Sequence, residues 1–226
     1  MPGLPRPDAI LFDWDNTLVD TWPCIIRAMN ATLDAMGHDP WTEEEAQRRI
    51  ARSLREAFPD LFGDRWQEAA QIFYRTFAEV HLEMLRPLPG AAEMLAAFRD
   101  AGVMLGVVSN KTGRYLRAEA DHLGWTPHFH RVVGAGDAAR DKPAVDVVHL
   151  ALADSGIVPG RHRVWFVGDM AVDMQCARDS GCHRVLLRPM AAAREEFDGC
   201  EPEVHLTSAH GLLQLFRDET VPNAAD

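Results

Sequence analysis

From Val103 onward the chain alternates short apolar runs with amphipathic stretches of helical period, and that alternation limits the fold more than any other feature of the sequence. The runs near 103–108 (VMLGVV), 131–134, 163–167 (RVWFV) and 183–187 (HRVLL) read as strands. Helices are expected near 90–100, 112–123, 143–155, 171–180 and 208–216. Strands joined through helices connect by right-handed crossovers, so the expected fold class is α/β, a doubly wound parallel sheet with a Rossmann-like core. Residues 9–12 (AILF) form one further apolar run, without alternation, which suits a strand buried on both faces.

Between that first strand and the others lies a block of different character, residues 20–86. Ile25, Ile26, Met29, Leu33 and Met36 recur at helical spacing, and Gly37 marks a C-terminal stop. Thr42 and Glu45 form a capping box for a second helix, expected to run toward Phe58 and stop at Pro59. A third helix is expected from about Asp64 to Leu85. The expected organisation is a catalytic core of residues 1–19 and 87–226 carrying a small inserted α-helical cap, 20–86. The crossings near Asp20–Trp22 and Arg86–Gly90 are expected hinges, letting the cap act as a lid over a reacting centre.

In open parallel sheets ligands bind beyond the carboxyl ends of the strands, so the residues there indicate the chemistry. After the first strand stands DWDNTLVD, with Asp13 and Asp15; after the next, Ser109-Asn110-Lys111. Lys142 precedes the helix near 143, and GDMAVD, with Asp169 and Asp173, follows the strand at 163–167. Alone, Asp-x-Asp is turn chemistry, Ser-Asn a capping turn and a lone lysine a solvated charge. Together, four carboxylates at one sheet edge call for a cation, because like charges in a partly dry site raise one another's pKa. Oxygen-only ligands favour Mg²⁺. A carboxylate to attack phosphorus, a second to move protons, and a hydroxyl with a lysine to steady phosphoryl oxygens suit phosphoryl transfer.

LFDWDNTLVD, VVSN, the isolated Lys142-Pro143 and VGDMAVD, in that order, resemble the four motifs of the haloacid dehalogenase-like hydrolases, over nearly the whole chain. The helical insertion is similar to that of the subclass with an α-helical cap, and the SNK triplet to the phosphoglycolate phosphatase type. The resemblance implies Asp13 as nucleophile forming an aspartyl-phosphate and Asp15 as general acid and base. Thr17 would brace the loop. Ser109 and the Asn110 backbone N–H would hold phosphoryl oxygens, and Lys142 would neutralise nucleophile and phosphate. The Mg²⁺ would lie among Asp13, Asp15, Asp169 and Asp173, with Trp14 giving only its backbone carbonyl. Relatives usually carry Ser or Thr where this chain has Met170, which removes a hydrogen bond behind the metal.

The resemblance implies a Mg²⁺-dependent phosphatase for a small phosphorylated metabolite, with 2-phosphoglycolate a candidate. A sugar phosphomutase of the same fold, a phosphoaspartate receiver and a binding protein on a dead scaffold are the alternatives. A receiver is far shorter, and a dehalogenase would need neither Mg²⁺ nor Asp15. Arg48, Arg52 and Arg55 fall on one stripe of the second cap helix. Either they form a solvated face, or Arg52 or Arg55 reads an anionic group on the substrate.

The formal net charge of −11 argues against nucleic acid as a partner, and no apolar stretch is long enough to span a membrane. Cys24, Cys176, Cys182 and Cys200 show no zinc spacing and read as reduced thiols of a cytoplasmic protein. Of the 23 basic residues only Lys111 and Lys142 are lysines. Both stand beside the motifs, Lys142 where a compact ammonium suits better than a guanidinium and Lys111 as either a substrate contact or a surface charge.

Overall fold

The computed structural model describes residues 4–49, 54–193 and 195–218. They divide into two compact units, one of residues 1–19 with 87–226 and one of residues 20–86. The first is built on a six-stranded parallel sheet of β1 (Ala9–Phe12), β4 (Met104–Thr112), β5 (Arg131–Ala135), β6 (Val164–Gly168), β7 (His183–Leu187) and β8 (Val204–Leu206). The order across the sheet is β5-β4-β1-β6-β7-β8. The chain leaves and re-enters this unit through β2 (Val19–Asp20) and β3 (Arg86–Pro87), which pair with each other.

The unbroken run in β1 has a direct cause. Ala9 and Leu11 pack with Val133, Val147, Val148, Phe166 and Cys176 in one core cluster. Phe12 points to the opposite face, where it meets Phe98, and Phe98 meets Phe216 with ring centroids 5.1 Å apart. A strand buried on both faces has no polar side to alternate with. The helices of this unit are α5 (Ala91–Asp100), α6 (Gly113–His122), α7 (Asp146–Ala151), α8 (Ala171–Ser180) and α9 (Ala209–Asp218). With β4 on one side of β1 and β6 on the other, the chain order reverses at the carboxyl end of β1, where such sheets open a crevice.

The inserted unit is helical: α1 (Trp22–Ala35), α2 (Glu43–Arg49), α3 (Leu54–Phe62) and α4 (Trp66–Met84). Glu45 does close a capping box with Thr42, accepting from the Thr42 backbone N–H at 2.9 Å while Thr42 Oγ1 accepts from the Glu45 N–H at 3.2 Å. Pro59, expected to stop the second helix, lies inside α3. The lost backbone bond is offset by aromatic packing around it, with Phe58 edge-on to Phe62 at 5.2 Å and to Phe73 at 5.8 Å. The strand β8 was not anticipated, because three residues at a sheet edge are too short to show a period. Among the described residues no helix is long and apolar enough to cross a membrane.

Candidate active site

Each strand end delivers its motif to the crevice beside β1. Asp13 follows β1 directly, and its backbone N–H donates to the Val167 carbonyl at 2.8 Å, tying the loop to β6. The loop turns back through Asn16, whose φ of 59° is a left-handed conformation that Asn tolerates better than most residues. Thr17 Oγ1 faces Asp169 Oδ1 at 3.5 Å. The close approach of Asp173 to the end of β6 depends on Gly168, since a Cβ there would lie 2.4 Å from that of Asp173.

Lys142 is buried and bridges two carboxylates, 2.6 Å from Asp13 Oδ1 and 2.6 Å from Asp173 Oδ1. The second Asp173 oxygen accepts from the Met170 N–H at 3.0 Å. Asp13, Asp169 and Asp173 can each offer an oxygen within 4.8 Å of the others. Burial, reinforced by Asp173 and Asp15 and only partly offset by Lys142, pushes the Asp13 carboxyl up to about 6. Burial beside Asp13 and Asp173 also holds Asp169 well above the usual carboxylate range. For Lys142 burial acts downward, but the two aspartates outweigh it and hold the ammonium above its ordinary value. Two buried carboxylates and the partly buried Asp169 near one ammonium leave an excess of negative charge, and an all-oxygen donor set with that excess fits a hard divalent cation.

Of the two sequence readings of Lys111, the structure excludes the surface charge. Its ammonium is buried 2.7 Å from Asp15 Oδ1 and 2.6 Å from Glu119 Oε2, so it is not a surface charge. Burial lowers its affinity for a proton, yet Asp15 and Glu119 outweigh that and hold its pKa above the usual value. Asp15, expected among the metal-side acids, therefore presents its carboxylate to Lys111. Trp14 also differs from expectation. Its carbonyl accepts backbone N–H groups of Thr17, Leu18 and Val19, at 2.9 Å from Leu18, so it is committed to the turn instead of to an ion. Its side chain, far from idle, donates through Nε1 to Glu119 Oε2 at 2.7 Å.

Ser109 is buried at the end of β4, and its Oγ accepts from the Lys111 N–H at 3.2 Å. The Asn110 side chain exchanges two hydrogen bonds with the Lys142 backbone, at 3.0 and 3.1 Å, and so fixes the segment that carries the lysine. Arg188, at the end of β7, donates to the Asp169 carbonyl at 3.0 Å while a bidentate pair with Glu196 holds it. That contact steadies Asp169 from the backbone side, where Met170 offers no hydroxyl. Sequence reasoning missed Glu119, Arg188 and the Asn110 side chain. For Glu119 a signal existed: it shares a face of α6 with Leu116 and Ala120, and an acid on an apolar face implies a buried partner. Arg52 lies outside the described residues, as does the side chain of Arg55.

Residues 10–187 match the family described as haloacid dehalogenase-like hydrolase. The N-acetylmuramic acid 6-phosphate phosphatase of Pseudomonas aeruginosa is 31% identical over 188 residues, covering 81% of this chain and 82% of that protein. The phosphoglycolate phosphatase of Caulobacter vibrioides is 30% identical over 223 residues, covering 95% of this chain and 89% of its own. Among solved structures, a haloacid dehalogenase-like hydrolase from Streptococcus pneumoniae superposes with a TM-score of 0.81 at 21% identity, covering 96% of this chain and 100% of that one.

Proposed function

The chain belongs to the haloacid dehalogenase-like hydrolase family and is a phosphatase, and from that premise we propose that it hydrolyses a small phosphorylated metabolite with Mg²⁺, through a phosphate carried on Asp13. The observation that carries this reading is the buried Lys142 ammonium, 2.6 Å from both Asp13 and Asp173 and beside the carboxylate group completed by Asp169. In that place it pairs the Asp13 carboxylate and presents the remaining donors to an incoming phosphate.

Asp13 attacks phosphorus, and the bond to the leaving oxygen breaks as Asp15 gives that oxygen its proton. Asp15 then takes a proton from the water that attacks the aspartyl-phosphate, which frees inorganic phosphate and restores Asp13. Ser109 Oγ, the Asn110 backbone N–H and Lys142 hold the phosphoryl oxygens. Asp13 and Asp169 would hold Mg²⁺, with Asp173 positioning the ion or its waters; the ion supplies neutralisation of charge on the transferring group. The helical unit, residues 20–86, takes the part of the cap, a role that rests on the family resemblance.

Relatives named phosphoglycolate phosphatase make 2-phosphoglycolate the first substrate to try, and the Pseudomonas relative adds N-acetylmuramic acid 6-phosphate. The test is a phosphate-release screen over these two, sugar phosphates and nucleotides, with and without Mg²⁺. Release of inorganic phosphate that requires Mg²⁺ is the expected result. No release across the panel would sink the reading, and a sugar phosphate isomerised without free phosphate would replace it with a mutase.

A further inference from the structure

We propose that Lys111 and Glu119 form a positioning pair for Asp15: the Lys111 ammonium, anchored on Glu119, holds the Asp15 carboxylate in place for its proton transfers. The proposal rests on the reading of Asp15 as acid and base given above. It assigns a task to two residues that neither the motifs nor the reaction itself accounts for.

The geometry gives the network a deeply buried side and a side nearer solvent. Glu119 is 1% exposed, and its Oε2 is reached by Lys111 Nζ at 2.6 Å and by Trp14 Nε1 at 2.7 Å. Trp14 is itself fully buried, edge-on to Trp125 and Phe129 with centroids 5.8 and 6.4 Å away. A carboxylate held by an indole in packed aromatics and by a helix backbone has little freedom. The Asp15 side chain, by contrast, is 26% exposed, at the end of the network nearest solvent. Trp14 and Asp15 are neighbours in the chain, so the connections close into a ring: Asp15 carboxylate, Lys111, Glu119, Trp14 indole, and back along one peptide to Asp15.

The residue types support the same conclusion. A buried glutamate without a cation would be costly, and Lys111 supplies that cation. Reaching two carboxylates within 2.7 Å from one nitrogen suits a point-like ammonium better than a planar guanidinium, which agrees with a lysine in a chain whose other basic residues, Lys142 apart, are arginines. The Lys111 side chain is 6% exposed, and its ammonium is engaged with Asp15 and Glu119. Lys111 is thus a positioning residue, and it acts through Asp15.

The test compares Lys111→Met and Glu119→Gln, each alone and combined with Asp15→Asn, by kcat and KM on two substrates. One is p-nitrophenyl phosphate, whose phenolate departs without a proton; the other is the best alkyl phosphate of the screen, whose leaving oxygen needs one. Lys111→Met is expected to lower kcat/KM for the alkyl phosphate by roughly tenfold to a hundredfold, with KM little changed and a smaller loss for p-nitrophenyl phosphate. Glu119→Gln should shift both in the same direction by less, and it carries the test should Lys111→Met fail to fold. In the Asp15→Asn background neither substitution should cost anything further. Equal losses on both substrates in kcat/KM, which reports the steps up to departure of the leaving group, a raised KM at unchanged kcat, or losses that add to Asp15→Asn would each overturn the pairing. Full activity of Asp15→Asn alone would instead remove the acid–base reading beneath it.

Discussion

The only two lysines of the chain occupy matched settings that differ in one respect. Each places its ammonium between two carboxylates at 2.6 to 2.7 Å, Lys142 between Asp13 and Asp173, and Lys111 between Asp15 and Glu119. Around Lys142 a third acid, Asp169, joins the group, so negative charge is left over, which under the proposed function would receive a cation and a phosphoryl group. Around Lys111 an indole N–H adds a donor to Glu119. Under the proposed roles the first cluster takes up charge from outside, whereas the second holds a neighbour still. A buried lysine is therefore not read by its burial alone; the balance of charge and donors around it indicates which task it performs.

The largest effects should separate the two clusters. Asp13→Asn and Lys142→Met are each expected to lower the rate of phosphate release by at least about 10³-fold, well beyond the loss from Lys111→Met. If Lys111→Met were as damaging as Lys142→Met, the distinction between reacting and positioning clusters would be lost. Removal of Mg²⁺ by chelation comes next, with a fall in kcat of about 10²-fold or more, restored by added Mg²⁺. Mg²⁺ should also raise the Tm of the wild type and fail to raise that of Asp169→Asn. An unchanged rate after chelation would contradict a cation at the Lys142 cluster.

A smaller effect tests the excess charge itself. The Asp13 carboxyl is raised from 3.8 to about 6, so the folded protein holds that proton more tightly than the unfolded chain does. The stability this group contributes is present below pH 3.8 and lost as pH rises through 6. In metal-free protein the Tm of Asp13→Asn should therefore gain on that of the wild type across this interval. A difference that stays flat, or moves the other way, would show that Lys142 already balances the carboxylates. The smallest expected signal is no signal. Burial pushes the Cys176 thiol up to about 12, and its Sγ lies 3.6 Å from the Ala144 carbonyl, two residues beyond Lys142. Native protein at pH 8 should leave Cys176 unmodified by iodoacetamide, while unfolded chain reacts; rapid labelling would mean that this side of the Lys142 cluster is open.

The motif residues gathered at the sheet edge were legible as a group because each stands directly after a strand or before a helix, where chain order reports position at that edge. The parallel sheet was legible for the same reason: period and length suffice for strands of four or five buried residues. What stayed hidden depends on contacts across the chain. Glu119 meets Asp15's lysine only when α6 packs beside the β1 loop, and Arg188 reaches Asp169 from a strand two positions along the sheet from β1. The resemblance gives Trp14 a role only through its carbonyl, whereas in the structure that carbonyl accepts the turn's N–H groups and the indole donates to Glu119. Pro59 misled in the opposite way, since a strong local signal for a helix end was overridden by the packing of Phe58 and Phe62.

In the proposed reaction phosphate passes through Asp13, and Asp15 governs its release. Acid-quenching Asp15→Asn during turnover of the best substrate and mapping the phosphate by peptide mass spectrometry tests this most directly. An acid-stable, base-labile phosphate is expected on the peptide containing Asp13, absent when Asp13→Asn is added. Phosphate on another residue, or normal turnover by Asp13→Asn, would contradict it.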